Sequence, residues 1–198
     1  MGKAENTKQL IVEKSAELFN KFGYDGCSLS DIMKATNLKK GGIYNHFKSK
    51  DEIAFEAFDY SLKKVFSRFR ARLDNEKTAY DKVMAMVDVY ASFARNPVVK
   101  GGCPIFNTAM DAQNSHPELK QKARDGINLM RNYLVLKLEE GERDGEFHCL
   151  TAKQDLATMI VVTLEGAIVY SAVNTELEIV DLALKHVKSY LSQNIKMI

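Results

Sequence analysis

Apolar positions along this chain recur at intervals of three and four rather than two, so the elements they predict are helices. Ile11, Ser15, Leu18 and Phe22 stand four, three and four apart and share one face, which predicts a first helix over 7–22. Gly23 and Gly26 break it. Ser28 and Asp31 have the spacing of a capping box, so a short helix should occupy 29–36. Asn37 tolerates the left-handed conformation that ends a helix in a tight turn. The next helix covers 39–47, and Ser49 with Glu52 caps a long fourth one reaching residue 73.

The remainder keeps the same period. A helix over 78–94 carries Val83, Met84, Val87, Tyr90 and Ala91 on one stripe. Asn96-Pro97 and Gly101-Gly102 bracket a loop, and Pro104 suits a helix's first turn. Ser115 and Pro117 open the next helix, which Gly141 and Gly145 end. Thr151 and Gln154 cap a strongly apolar helix through 172, and a last one covers 177–195. Few segments alternate as a half-buried strand does, and no repeat or low-complexity tract is evident. The expected fold class is all-α, with about nine helices.

Composition narrows the setting. The chain has 198 residues and is 45% hydrophobic, enough for a sizeable core in one domain or two apposed ones. No run approaches the ~18 uninterrupted apolar residues that a membrane span needs. The N-terminus reads as an amphipathic helix with acidic residues inside it, not as a signal peptide. Cys27, Cys103 and Cys149 are odd in number and widely spaced, as in a reduced protein. A soluble cytoplasmic protein with no membrane partner is expected. Net charge is +2 but uneven: residues 1–50 hold nine lysines against five carboxylates, and the rest holds 19 basic and 21 acidic residues. A basic front segment points to a local anionic partner such as the DNA backbone. His46, His116, His148 and His186 show no ligand spacing with each other or with cysteine, so no metal is expected.

The stretch from Ser28 to Ile53 carries the function. Two short helices joined by a tight turn bury too little apolar surface alone and need the first helix as a third. That is the helix-turn-helix arrangement, whose second helix enters the major groove. Lys39 and Lys40 open that helix, where amide dipoles and ammonium groups both favour phosphate or base acceptors. Gly41 and Gly42 allow close backbone approach to a duplex, at roughly 1 kcal/mol each in helix propensity. Tyr44, His46, Lys48 and Lys50 add polar tips suited to phosphate contacts. Tyr44 also suits packing against the first helix, and Ile32, Ile43 and Phe47 read as core.

At Ser28, Ser30, Asp31, Ile32, Lys40, Gly41, Ile43, Tyr44, His46, Phe47, Ser49 and Lys50 the chain resembles the TetR/AcrR family of transcriptional regulators, over about residues 7–55. The resemblance implies a DNA-binding domain at 1–50 and a helical effector-binding and dimerisation domain at 51–198. It implies phosphate contacts from Ser28, Gly42, Tyr44, His46 and Lys50. Base readout would fall to Ser30, Lys39, Lys40, Gly41 and Asn45. Gly42 stands where the family usually has a hydroxyl or Ala, and Asn37 where it usually has Gly. The run Gly101-Gly102-Cys103-Pro104 with Asn107 and Ala109, then His116-Pro117 with Leu119, is similar to one subgroup.

The implied function is that of a transcriptional regulator, a repressor released from a palindromic operator when a small effector binds. Its partners would be double-stranded operator DNA, an unnamed effector and a second copy of the chain. Pocket candidates are Met84, Val87, Cys103, Phe106, Asn107, Met110, Met130, Tyr133, Leu134, Leu164 and Ile168, although core packing also accounts for each. Asn107 and Tyr133 stand out, because a buried amide or hydroxyl wants a partner. For a dimer interface of two helices from each subunit, Leu156, Ile160, Ala167, Leu182, Ala183, His186 and Tyr190 are the candidates, with internal core as the alternative. Cys103 at a helix N-terminus admits a thiol sensor of oxidants or electrophiles. An enzyme using Cys103 with His116 is the rival class, but no base-orienting partner or cofactor cradle accompanies them, so no catalysis and no cofactor are expected.

Overall fold

Local chemistry decides most of the helix ends. The computed structural model describes residues 2–198. Within them the order is α1 (Lys3–Gly26), α2 (Leu29–Thr36), α3 (Lys40–Tyr44), α4 (Lys50–Leu73), α5 (Ala79–Ser92), α6 (Pro104–Asp111), α7 (Pro117–Arg143), β1 (Phe147–Cys149), α8 (Lys153–Asn174), α9 (Glu178–Asn194) and β2 (Ile195–Met197). The fold is all-α apart from the two short strands, which pair antiparallel with Phe147 opposite Met197. Ser28 and Asp31 form the reciprocal capping box at α2. Thr78 accepts from the Asp81 amide at 3.0 Å ahead of α5. Asn37 closes α2 at φ 55°.

Four expectations change. α1 runs past both expected ends, and Gly23 (φ 75°) sits at a kink inside it rather than after it. Its buried row is Ile11, Val12, Ser15, Ala16 and Asn20, whereas Phe22 is exposed. α3 is a single five-residue turn, although the Phe47 amide still bonds the Ile43 carbonyl at 3.1 Å. Thr151 does not cap α8: Ala152 holds that position, and the Thr151 hydroxyl donates to Asn194 Oδ1 at 2.5 Å. Gly141 lies inside α7 rather than ending it. A Cβ there would come within 2.2 Å of the Phe147 ring, so the glycine admits that ring.

The chain divides into two compact units, Met1–Lys64 with Val98–Asp125, and Val65–Pro97 with Gly126–Ile198. The first is centred on Ile11, Val12, Cys27, Ile32, Ile43, Phe47 and Ile53, drawn from α1 to α4. α6 is fastened to α1 in this unit. The Asn20 side-chain amide donates to the carbonyls of Val99, Lys100 and Gly102 at 3.3, 3.0 and 3.1 Å. The Asn107 amide donates back to Asn20 O and Oδ1 at 3.2 and 3.0 Å, and to Gly101 O at 2.7 Å. The Asp111 carboxylate accepts from the Tyr24 amide at 2.7 Å. A Cβ at Gly23 would stand 2.3 Å from that carboxylate, so glycine meets both the backbone angle and the close approach.

In the second unit α8 packs on α9, and both pack on α5. Its core includes Val83, Val87, Tyr90, Leu156, Ile160, Leu164, Val187 and Leu191. The Glu146 carboxylate accepts from the amides of Ala79 and Tyr80 at 2.9 and 3.1 Å, satisfying the start of α5. By length and composition α8 could cross a membrane, but half of its apolar stretch is buried against the protein. Within that stretch Glu165 is buried and accepts from the Tyr90 hydroxyl at 2.8 Å, so its polar group is satisfied inside the protein.

Two stability predictions follow from these contacts. The Ser15 hydroxyl is fully buried and has no hydrogen-bond partner among the described residues. Ser15→Ala should therefore stabilise the protein by about 1 kcal/mol, raising the thermal midpoint by roughly 2–4 °C. A lowered midpoint would mean that the hydroxyl has a partner. At α2 the Ser28 hydroxyl, then the Ser28 amide, hold the Asp31 carboxyl below its ordinary value of 3.8. Its contribution is thus complete above that value and lost as the pH falls through the folded one. The midpoint gap between wild type and Asp31→Asn should close on acidification; a gap constant from about pH 6 to about pH 3 would refute the assignment.

Candidate nucleic-acid interface

The capping box and the Asn37 turn set α2 and α3 at a fixed angle, and two apolar anchors seat α3. Ile43 is 0% and Phe47 1% exposed, both in the α1–α4 core. An α-helix turns through 100° per residue, so the positions between those anchors face outward. Lys39, Lys40, Gly41, Tyr44, Asn45 and Lys48 are exposed, and Gly42, His46 and Lys50 are half-buried. Ser28 and Ser30 are exposed on α2 and its cap. All eleven expected DNA-contacting residues therefore present surface on one small unit.

Aromatic faces hold two of the lysines. Lys40 Nζ lies 5.6 Å from the centre of the Tyr44 ring, and Lys50 Nζ lies 4.0 Å from that of Tyr24. Lys39, Lys40 and Lys48 project into solvent from one turn and its flank, the charge arrangement that draws phosphate oxygens. Tyr44 is exposed rather than buried against α1.

The other expected sites fare differently. The eleven pocket candidates divide between the two units. Cys103, Phe106, Asn107 and Met110 belong to the first, and Met84, Val87, Met130, Tyr133, Leu134, Leu164 and Ile168 to the second. Met110 is 71% exposed and so lines no enclosed space. The Asn107 amide is satisfied by Asn20 and Gly101, so the partner it wanted is the protein itself. The first unit has a small cleft, open to solvent, between α1, α4, α6 and α7. Asn20, Tyr24, Ser61, Thr108 and Asp111 supply its polar lining, and none of the eleven candidates borders it.

Among the interface candidates Leu156, Ile160 and Ala167 are buried within the chain itself and offer little or no surface to a partner. Leu182 and His186 are exposed, and Ala183 and Tyr190 half-buried. The exposed apolar residues of α8 instead include Met159, Val162, Val169 and Val173. Gly166 completes a three-four-three-four spacing with them, a signal already present in the sequence.

Cys103 is buried as the N-cap of α6. Burial first, then nearby carboxylates (Asp31 and Glu142 respectively), push the Cys27 and Cys149 thiols up to about 11, away from thiolate reactivity. His116 is no general base for a cysteine: Nδ1 accepts from the Leu119 amide at 3.3 Å, and Nε2 faces Asp51 at 3.6 Å. Three residues near the interface escaped the sequence reading. Asn20 and Asp51 lie in helical periods where a polar residue reads as surface, and Tyr24 falls in the break expected between Gly23 and Gly26.

Two family profiles match the chain. The one described as "Bacterial regulatory proteins, tetR family" covers residues 11–57, and "Tetracyclin repressor-like, C-terminal domain" covers 79–187. A TetR transcriptional regulator from Chloroflexus aurantiacus J-10-FL is 36% identical, with a TM-score of 0.95 and complete coverage of both chains. An uncharacterized HTH-type transcriptional regulator in the lacX 3′ region of Lactococcus lactis subsp. lactis is 25% identical over 181 residues, 89% of this chain and 88% of that one. The biofilm operon icaADBC negative regulator IcaR of Staphylococcus epidermidis is 44% identical over 46 residues, 23% of this chain and 25% of its own. The buried seat of α3, the lysines exposed around it and the matches along both parts of the sequence lead to one conclusion: this chain belongs to the TetR family of DNA-binding transcriptional regulators.

Proposed function

We propose that the protein is a dimeric repressor that leaves a palindromic operator when a small effector binds its C-terminal helices. One observation carries the reading: Ser28, Ser30, Lys39, Lys40, Tyr44, Asn45 and Lys48 are exposed together around a helix whose Ile43 and Phe47 are buried. In a two-fold dimer each α3 enters one of two successive major grooves, roughly 34–36 Å apart. Lys39, Lys40 and Asn45 read base edges there, while Ser28, Tyr44, His46, Lys48 and Lys50 hold phosphates. Gly41 and Gly42 allow close approach of the backbone. The sign of regulation is supported by the likeness of the front segment to a protein named as a negative regulator. A dimer seated over a promoter also blocks polymerase.

The second copy is expected on α8 and α9. α8 is apolar all round: Leu156, Ile160 and Leu164 are buried, while Met159, Val162, Val169 and Val173 face outward, the last 78% exposed. A helix apolar on both sides has two faces to bury. Gly166 sits in the middle of the outer seam with open space where a Cβ would be, so two such helices can approach closely. Leu182 and His186 of α9 extend the seam. Effector binding then favours a dimer in which α4 has shifted and the α3 spacing no longer fits the operator. Only the difference in effector affinity between the two states drives that release.

Lys40→Ala combined with Tyr44→Ala should abolish operator binding in a gel-shift assay while light scattering still reports a folded dimer. Unchanged binding would overturn the proposal. Val162→Glu with Val169→Glu should yield monomers in sedimentation equilibrium, and a dimer that persists would remove α8 from the interface.

A further inference from the structure

We infer that Tyr24, Asp51 and His116 act together as positioning residues that hold the Lys50 ammonium ready for an operator phosphate. This rests on the proposed reading of Lys50 as a phosphate contact. None of the three is itself expected to touch DNA. Lys50 is the first residue of α4, half-buried, with Nζ 4.0 Å from the centre of the Tyr24 ring. The side chain of a free lysine loses much rotamer freedom when it grips a phosphate. Held beforehand on a fixed ring, it has lost that freedom already during folding. The ring covers only one side of the ammonium, and the remaining N–H groups stay available to phosphate oxygens.

Three contacts immobilise the ring. Its hydroxyl donates to Asp51 Oδ1. Burial above all, and then the Asp51 carboxylate, raise the Tyr24 pKa well beyond the usual phenol range, so the hydroxyl remains a donor. The His116 imidazole meets the ring edge to face, with centres 4.8 Å apart and planes at 79°. Phe19 lies nearly parallel to it at 6.0 Å. Asp51 has a second task. As the neighbour of Lys50 it could pair with the ammonium and compete with DNA, but its carboxylate is directed to the Tyr24 hydroxyl and towards His116 Nε2 at 3.6 Å.

His116 ties this assembly to α7. Its Nδ1 accepts the Leu119 amide and so caps that helix, which leaves Nε2 as the protonated nitrogen of the neutral ring, facing Asp51. A displacement of the first turn of α7 therefore withdraws one wall from Tyr24 and loosens Lys50.

The test uses the full-length protein and the duplex that wild type selects from a random pool, with the dissociation constant followed against KCl. Lys50→Ala should weaken binding and lower the salt slope by about 0.9 per phosphate contact, roughly 1.8 per dimer. Tyr24→Phe keeps the ring and removes the bond to Asp51. His116→Asn keeps a capping oxygen but is too short to reach Asp51. Each should weaken binding severalfold and reduce the slope in the Lys50 background, and neither should have any further effect in Lys50→Ala. That lack of additivity is the readout a merely structural role would not produce. If either variant weakens Lys50→Ala as much as it weakens wild type, the inference is wrong while operator binding stands. Should Lys50→Ala bind with unchanged affinity and slope, the inference fails together with the assignment of Lys50 to a phosphate, while operator binding through α3 stands. A wild-type protein that selects no duplex overturns both this and the proposed function.

Discussion

The protein's ability to meet DNA depends on the burial of Ile43 and Phe47. α3 has five residues, two of them glycine, far short of the ~12–15 residues an isolated helix needs to persist in water. Its conformation is imposed from beneath. The two side chains, with Ile11, Val12, Ile32 and Ile53, form one apolar cluster. Each large side chain so buried is worth about 1.5–3 kcal/mol, so the pair outweighs the propensity cost of Gly41 and Gly42 together. Once the inward positions are fixed, the helical period leaves the lysines, Tyr44 and Asn45 no choice but the opposite side.

The end of α1 is held by polar rather than apolar contacts. Asn20 and Asn107 satisfy each other and the carbonyls of the loop between α5 and α6, and Asp111 receives the Tyr24 amide. Buried amides left without partners would be costly, so such a clamp is stable only when complete. Its consequence is that α6 and the start of α7 belong to the same compact unit as the helix-turn-helix. The unit that carries the candidate DNA-contacting residues therefore includes helices that lie more than fifty residues beyond them in sequence.

α8 poses the opposite problem. It has more apolar surface than one protomer covers, with Leu156 and Ile160 on one side and Val162 and Val173 on the other. Sequence periodicity cannot separate those faces when both are apolar, since a moment vanishes if every direction is hydrophobic. For that reason periodicity alone offers Leu156, Ile160 and Ala167 as interface candidates, whereas packing buries them inside the chain.

Signals confined to a few neighbouring residues were legible in the chain itself. The capping box at Ser28 and Asp31, the left-handed turn at Asn37, the Pro104 start and the spacing from Lys39 to Lys50 depend on bonds between residues at most a turn or two apart. Local geometry suffices for them. What required the folded molecule were pairings across long sequence separations. Asn107 looked like an amide awaiting a ligand because Asn20 lies 87 residues away. Tyr24 and Asp51 carry no motif, the motif around His116 names no partner for it, and the meeting of the three is set by how α1, α4 and α7 pack. The strands at 147–149 and 195–197 are three residues each, too short for alternation to register. A residue's type states what it can bond, but only packing decides which partner stands within reach.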